Sequence, residues 1–503
     1  MVKSASIDYL YMLCYTIFVF DNTAYSVFGA AFENAYKTGG TLLKKSLRFY
    51  FALFFAKCTA RILKLIGRKG TSMPGSWAII LCPDFLGRIP RPKTVVMVAG
   101  TNGKTTVCNL TEDILTDNHV EYVCNRFGAN VNTGIASALI ADSTFFGNPK
   151  HDLAVFEFDE RSAEKILSYI QPDYFVCTNL CRDALDRNAN VEFIADLLNK
   201  NLNDSATLIL NGDDLITSHL KPQNPRVYFG IDKLPRDDAA RPNLVRDITA
   251  CPQCGAPLSY RFLRYNHIGR AYCPNCDYGS PNIDYEAKTV DQTAMRFTLL
   301  APQGEETYRL LGKNITDLYN ELTAVTLLKT LGLSQKQIAS SLEKTELTRT
   351  RYDIQSASDK EIVLCLAKGQ SPIASSRVFE FIAEQNIPCA VVLMNYDRHD
   401  AAHSSENTAW LYEADYEFLN TDCVRELITV GSRCYDYQVR ALLAGIPQEN
   451  IRCAEKPENT AALVNFKNVK RVYILHAVFT RAAAEQLRDC LIERAKKETA
   501  NEN

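Results

Sequence analysis

The stretch VVMVAGTNGKTTVCNL, residues 95–110, decides the fold. A β-branched apolar run ends in a glycine turn carrying Gly-Lys-Thr-Thr, and from Lys104 onward the chain reads as a helix. Strand, glycine turn and helix in that order make a phosphate site. Gly103 lets the backbone approach phosphate oxygens, Lys104 bridges them, and Thr105 offers a hydroxyl to Mg²⁺. The spacing is short, however. The common pattern G-x-x-x-x-G-K-[ST] needs a glycine where the chain has Val98, whereas Gly100 lies only three residues before Gly103. The expected ATP-binding loop is therefore Gly100, Thr101, Asn102, Gly103, Lys104, Thr105 and Thr106.

The same form recurs downstream. LAVFEF (153–158), YFVCTNL (174–180) and ATLILNGDD (206–214) are apolar strands that end in polar residues. Alternation with helices predicts an α/β fold whose parallel sheet binds ligands at the strands' carboxyl ends. FEFDE (156–160) places Glu157, Asp159 and Glu160 at one such end. A carboxylate there, Glu157 first, would hold Mg²⁺ directly or through water; the alternative is a solvated acidic loop. In TNLCRDALDRN (178–188), Asp183, Asp186 and Arg187 are either metal-site residues or the cap of the next helix. Residues 320–344 read as two helices joined near Gly332. A second α/β unit has strands at 361–367, 389–395, 426–431 and 471–477, and the tail RAKKETANEN is expected to fray.

At 503 residues the chain predicts two or three domains. With 56 basic and 58 acidic residues, nothing in the total charge points to nucleic acid. Seventeen cysteines, scattered and odd in number, in a chain without a convincing secretory signal indicate a reducing compartment and mostly free thiols. Four of them form CPQC (251–254) and CPNC (273–276), with 18 residues between. Cys251, Cys254, Cys273 and Cys276 have the spacing of a closed, structural zinc site, with rubredoxin-like iron or two disulfides as alternatives. Near the N-terminus, YLYMLCYTIFVF (9–20) is an uncharged run of 12 residues, short of the roughly 20 a spanning helix needs. Residues 42–70 are apolar at helical spacing and dotted with Lys and Arg. They form either a helix packed on its own domain or one lying on an anionic membrane surface.

Taken together, GTNGKTT, NRFGANVNTGIASAL (125–139), FEFDE and TNLCRDALDR resemble the ATP-binding central domain of the Mur ligases, in which the phosphate loop is short. The four-cysteine insert, YFGID (228–232) and NHIGRAYCPNCDYGSP (266–281) narrow the resemblance to the MurT family, the synthetase subunits of lipid II isoglutaminyl synthase. So do LAKGQSP (366–372), LMNYDRHD (393–400), AWLYEADYEFL (409–419), GSRCYDYQVRALLAG (431–445) and YILHAVFTRAAAEQLR (473–488). The resemblance implies a central domain over 47–346 with a zinc-ribbon insert at 248–282, a smaller Rossmann-like α/β domain over 347–503, and an extension, 1–46, of unknown role. It implies a carbon–nitrogen ligase that uses ATP and Mg²⁺ to activate the α-carboxylate of D-glutamate in the lipid II stem peptide. Ammonia from a GatD-like glutaminase subunit then gives D-isoglutamine, in the cytoplasm at the inner face of the membrane. Asn320 maps to the asparagine near the adenine, Arg351 to the arginine directed at the phosphates, and Asp400, with Asp397 second, to the aspartate that meets the glutaminase site. Lys104 and Glu157 carry the catalytic charge. Ala184 stands where the family pattern has a metal-binding histidine or a glutamine, which puts a second Mg²⁺ in doubt. The alternatives are a free-standing Mur or folylpolyglutamate-type amino-acid ligase, and a zinc-ribbon scaffold with a degenerate ATPase.

Overall fold

The computed structural model describes residues 43–68, 70–183, 190–238, 242–346, 352–367, 371–395 and 408–502. Ahead of the first sheet lie helices α1 (Leu47–Leu65) and α2 (Met73–Leu81). Then come β1 (Thr94–Ala99), α3 (Lys104–Asp117), β2 (Val123–Cys124), α4 (Asn132–Asp142), β3 (Leu153–Glu157), β4 (Tyr174–Cys177), α5 (Val191–Asn201), β5 (Thr207–Asn211) and β6 (Arg226–Ile231). The hairpin β7 (Ser259–Tyr265) and β8 (Ile268–Tyr272) follows, then β9 (Tyr285–Asp291), β10 (Arg296–Ala301), β11 (Gly304–Arg309), α6 (Ile315–Thr330) and α7 (Gln335–Lys344).

Apart from the separate β7–β8 hairpin, these strands form a nine-stranded sheet in the order β11-β10-β9-β6-β5-β4-β1-β3-β2, in which β10 alone runs against the others. The run at 94–99 is continuously apolar because β1 is buried on both faces. Val95, Met97 and Ala99 join a core with α1, α2, α4 and α5, while Val96 and Val98 join one with α3, α6 and α7. Since β1 lies between β3 and β4 and the chain departs from it in both directions, the loops after β1, β3 and β4 converge on one crevice.

The second sheet is built from β12 (Tyr352–Ala357), β13 (Lys360–Leu366), β14 (Cys389–Met394), β15 (Val424–Val430), β16 (Ile451–Ala454) and β17 (Arg471–His476). Its order is β12-β13-β17-β14-β15-β16, with only β12 antiparallel. Helices α8 (Pro372–Gln385) and α9 (Cys434–Leu443) cover one face and α10 (Arg481–Glu502) the other.

Three expectations change. The predicted strands overrun: Phe158, Thr178 to Leu180 and Gly212 to Asp214 lie beyond the strand ends, where their polar groups turn to site contacts. The antiparallel pair β10–β11 extends the sheet where no strand was expected. And the tail does not fray at Arg494. Helix α10 continues to Glu502, because Ala495 is buried and the Arg494 guanidinium lies 5.0 Å from the Phe466 ring centroid. The two helices meet as expected at Gly332, where φ is +97°.

Glu321 on α6 yields a pH prediction. Its carboxyl is buried, one oxygen accepts from the Leu311 N–H at 3.0 Å, and the other has no hydrogen-bond partner among the described residues. Burial pushes its pKa up to about 8. A carboxyl raised above its unfolded value binds its proton more tightly in the native state, so stability falls as pH rises from about 4.5 toward 8. Glu321→Gln is expected to match the parent near pH 4 and to exceed it above pH 8 by on the order of 5 kcal/mol. Denaturant melts at both values check this, and equal stabilities at high pH would overturn it.

Candidate active site

The loop after β1 is shaped by two glycines. Gly103 has φ +88° and forms the N-cap of α3; a Cβ there would lie 2.1 Å from Asn320 Oδ1. Gly100 has φ +130°, and its Cβ would lie 2.0 Å from Thr178 Oγ1. Both positions need glycine for conformation as well as for space. The loop after β4 fixes the turn from the side. The Thr101 N–H donates to Asn179 O at 2.8 Å and the Asn102 N–H to Asn179 Oδ1 at 3.1 Å. Thr178 Oγ1 donates to Asn102 O at 2.6 Å, and Thr101 Oγ1 to Cys181 O at 2.9 Å. The first turn of α3, with Thr105 and Thr106, carries no acidic residue, so the positive end of the helix is left for an anion.

Facing it are two carboxylates with different partners. Thr105 Oγ1 donates to Glu157 Oε2 at 2.8 Å, and Asn130 Nδ2 holds the other Glu157 oxygen at 3.1 Å. Asn125 brackets the Glu157 backbone: its Oδ1 accepts from the Glu157 N–H at 2.8 Å and its Nδ2 donates to the Glu157 carbonyl at 2.9 Å. A hydroxyl beside a fixed carboxylate is a hard oxygen pair of the kind Mg²⁺ takes. Lys104 Nζ sits 3.1 Å from Glu160 Oε1 and also donates to the Gly100 carbonyl, while the Gly100 N–H donates to the same Glu160 oxygen. Burial opposes the Lys104 charge, but Glu160, with Glu157 and Asp159 behind it, holds the pKa above the ordinary lysine value. The Glu160 carboxylate thus engages the donors that a phosphate oxygen would use.

The structure therefore brings together the expected loop, Lys104, Thr105, Glu157 and Asn320. Sequence reasoning gave no particular role to Asn125, Asn130, Glu160, Thr178 or Asn179, whose parts depend on contacts between distant strands. Arg351, Asp397 and Asp400 lie outside the described residues, as do Ala184, Asp186 and Arg187.

Away from the crevice, Cys251, Cys254, Cys273 and Cys276 come together, their sulfur atoms within 4.8 Å of one another. Cys251 and Cys276 are 3.5 Å apart and Cys254 and Cys273 are 3.4 Å apart. Zn–S bonds of about 2.3 Å in a tetrahedron require S···S edges of roughly 3.8 Å, so the set fits a closed four-thiolate site. In a second grouping, Cys181, Asp247 and His267, burial keeps the thiol neutral while Asp247 and His267 join ion pairs. Arg182 donates to Asp247 at 2.6 Å, and His267 Nε2 lies 3.1 Å from Asp214 Oδ1.

A helix N-terminus, a lysine and a hydroxyl–carboxylate pair gathered where a parallel sheet reverses its strand order define a nucleotide-binding enzyme of the Mur ligase class. The family model for the Mur ligase middle domain matches residues 98–246, and that for the MurT ligase C-terminal domain matches residues 368–480. The chain is 30% identical over 456 residues to the lipid II isoglutaminyl synthase (glutamine-hydrolyzing) subunit MurT of Streptococcus pneumoniae, covering 89% of this chain and 98% of that one. To the subunit of the same name from Staphylococcus aureus it is 29% identical over 425 residues, 84% of this chain and 94% of that one. The chain belongs to the MurT family. Its fold is shared with a pseudomurein peptide ligase type C from Methanothermus fervidus at TM-score 0.60 and 18% identity, covering 82% of this chain and 80% of that chain.

Proposed function

We propose that this chain is the synthetase subunit of a lipid II isoglutaminyl synthase. It amidates the α-carboxylate of D-glutamate in the lipid II stem peptide, with ammonia delivered by a GatD-like glutaminase subunit. The observation that carries the chemistry is the Thr105–Glu157 pair, 2.8 Å apart at the N-terminus of α3 beside Lys104.

A carboxylate is a poor electrophile because its charge is delocalised and oxide is a bad leaving group. The reaction therefore runs in two steps. A carboxylate oxygen attacks the γ-phosphorus of ATP, the bond to the ADP oxygen breaks, and an acyl phosphate forms. The ammonia lone pair then attacks the acyl carbon, the C–O bond to phosphate breaks, and loss of a proton leaves the carboxamide. Catalysis is mostly positioning and charge neutralisation. Lys104 would leave Glu160 for the phosphate oxygens, and the backbone N–H groups at Gly103 would face them. Thr105 and Glu157 would hold Mg²⁺, which neutralises phosphate charge when bound. Asn320, against Gly103, would approach the adenine side, and Arg351 would face the phosphates. Asp400, or failing it Asp397, would complete the glutaminase site. The four cysteines would hold structural Zn²⁺.

The place of work is the cytoplasm, at the inner face of the membrane where a lipid-linked substrate is displayed. Among the described residues no helix is long and apolar enough to cross a membrane.

The nitrogen donor tests the proposal. Lipid II, ATP and ammonium are expected to give ADP and a product in which one carboxyl has become a carboxamide. Glutamine is expected to replace ammonium only when the glutaminase subunit is present. Turnover that requires a free amino acid and appends it to the substrate would identify an amino-acid ligase instead.

A further inference from the structure

Helix α1 buries one face and exposes another that is equally apolar. Phe49, Ala52, Leu53, Ala56 and Leu63 pack into the central core. On the far side Leu47, Phe51, Phe54, Ile62 and Leu65, spaced by four, three, eight and three residues so that they share one face of the helix, are each more than half exposed. The patch continues onto the turn after α4. Phe145 and Phe146 are also more than half exposed, and that turn is held to α1 by Lys45, whose Nζ donates to Phe146 O at 2.9 Å and Asn148 Oδ1 at 2.8 Å. Gly147 packs directly on Phe49 and Leu53. So large a run of exposed aromatic and aliphatic side chains marks an interaction surface.

Charge identifies the occupant. From Leu43 to Pro83 the sequence has eight Lys and Arg and no Asp or Glu. Among the described residues no carboxylate pairs with Arg61, Lys64 or Arg68, all exposed along the same helix and the turn after it. The preceding segment, residues 1–42, is no match for this charge, with only three acidic residues against two basic. Apolar side chains rimmed by cations without counter-charges fit the acyl–headgroup boundary of an anionic bilayer.

The position also fits. Helix α1 packs on α2, and α2 on α4: a Cβ on Gly75 would lie 2.0 Å from Thr133 O. The segment just before α4 holds Asn130, which bonds Glu157 at the phosphate crevice. The exposed face is thus joined by packing to the phosphate crevice.

We propose that the outer face of α1, with Phe145 and Phe146, docks this protein on an anionic lipid bilayer. The inference takes its purpose from the lipid-linked substrate proposed above, but its test is independent of turnover. The full chain is to be sedimented with vesicles of phosphatidylcholine alone and of phosphatidylcholine with phosphatidylglycerol, without nucleotide or lipid II. Binding is expected only to the anionic vesicles and to weaken with salt. The exposed pair Phe51→Glu and Phe54→Glu is expected to reduce it by about tenfold or more, and Arg61→Glu with Lys64→Glu to weaken it as well. Unchanged thermal midpoints and unchanged turnover on detergent-dispersed lipid II would show that fold and catalysis are kept. Failure of the parent to bind, or undiminished binding by F51E/F54E, would overturn the proposal. In the second case residues 1–42 or another surface would be responsible. Dimers that F51E/F54E dissolves, without any vesicle binding, would assign the face to a second copy of the chain and equally overturn it. If vesicles bind but detergent-dispersed lipid II is never amidated, the docking surface stands and the functional proposal falls.

Discussion

Replacing Lys104 with alanine is expected to lower ATP turnover and amidation by about a thousandfold or more. The ammonium is set for this role by its surroundings. Its side chain is only 14% exposed and its Glu160 partner 8%, so water screens the pair poorly. It also hangs over the Gly100 carbonyl at the mouth of the turn, within reach of any anion seated on the α3 N-terminus. When charge builds on the transferring phosphoryl group, this poorly hydrated cation, handed over from Glu160, stabilises it more than a solvated one could. A structural explanation of the same loss is separable. Lys104→Ala leaves Glu160 buried without its cation, which itself costs stability. Glu160→Gln breaks the same pair and leaves the lysine in place. If phosphate neutralisation is the function of Lys104, E160Q retains far more turnover than K104A, while both shift the thermal midpoint. Equal activities for K104A and the parent, or equal losses in K104A and E160Q, would defeat this reading.

How much of this was legible in the sequence follows from the kind of signal each part leaves. The strand–turn–helix at 94–117 is local: β1 is uniformly apolar because it is buried twice, and Gly103 must be glycine because its φ is positive. Lys104 and Thr105 follow from it, and Glu157 follows once β3 is placed beside β1. The carboxylate that occupies the lysine was visible only as one of three in FEFDE. Nothing in the string says that Glu160, rather than Asp159, turns back toward Gly100. Asn125, Thr178 and Asn179 act across loops that are distant in sequence, and polar residues in loops carry no periodicity. Asn320 was legible only by family resemblance, its contact with Gly103 spanning more than two hundred residues of chain. The helix at 42–70 packs on its own domain through a buried stripe, and α1 also leaves an apolar stripe exposed. Hydrophobic spacing alone does not distinguish a packed face from a docking face.

The four-cysteine insert carries the other large expectation. The purified chain should contain one zinc ion, and Cys273→Ser should abolish it and destabilise the protein by several kcal/mol, out of the roughly 10–16 that a structural zinc site supplies. The loss should not stay local, because the hairpin that carries the knuckles is wired into the crevice. Asp213 and Asp214, at the end of β5, face in two directions. Asp213 accepts from the buried Arg264 of β7 at 3.3 Å, from Arg270 of β8, and from Tyr319 of α6 at 2.7 Å, next to Asn320. Asp214 accepts from the Leu180 N–H at 2.7 Å and lies 3.1 Å from His267 in the hairpin turn. Leu180 belongs to the segment that pins Thr101 and Asn102. The other side of the hairpin meets the second domain, where Arg377 of α8 donates to Asn266 Oδ1 at 3.1 Å and lies 4.1 Å from the Tyr265 ring centroid. Without the metal, β7 and β8 lose the clamp at their open end and keep their short ladder, this charge network and the core packing of Tyr265 and Ile268. Fraying there leaves Asp213 and Asp214 buried without cations and frees the loop after β4. Metal-stripped protein and C273S are therefore expected to show a raised KM for ATP together with the lower thermal midpoint, and the stripped protein to recover both when zinc is restored. A metal-free preparation with an unchanged midpoint and unchanged KM would show that the insert needs no ion. A rubredoxin-like visible absorption would assign the site to iron, with the brace between ribbon and phosphate loop unaltered.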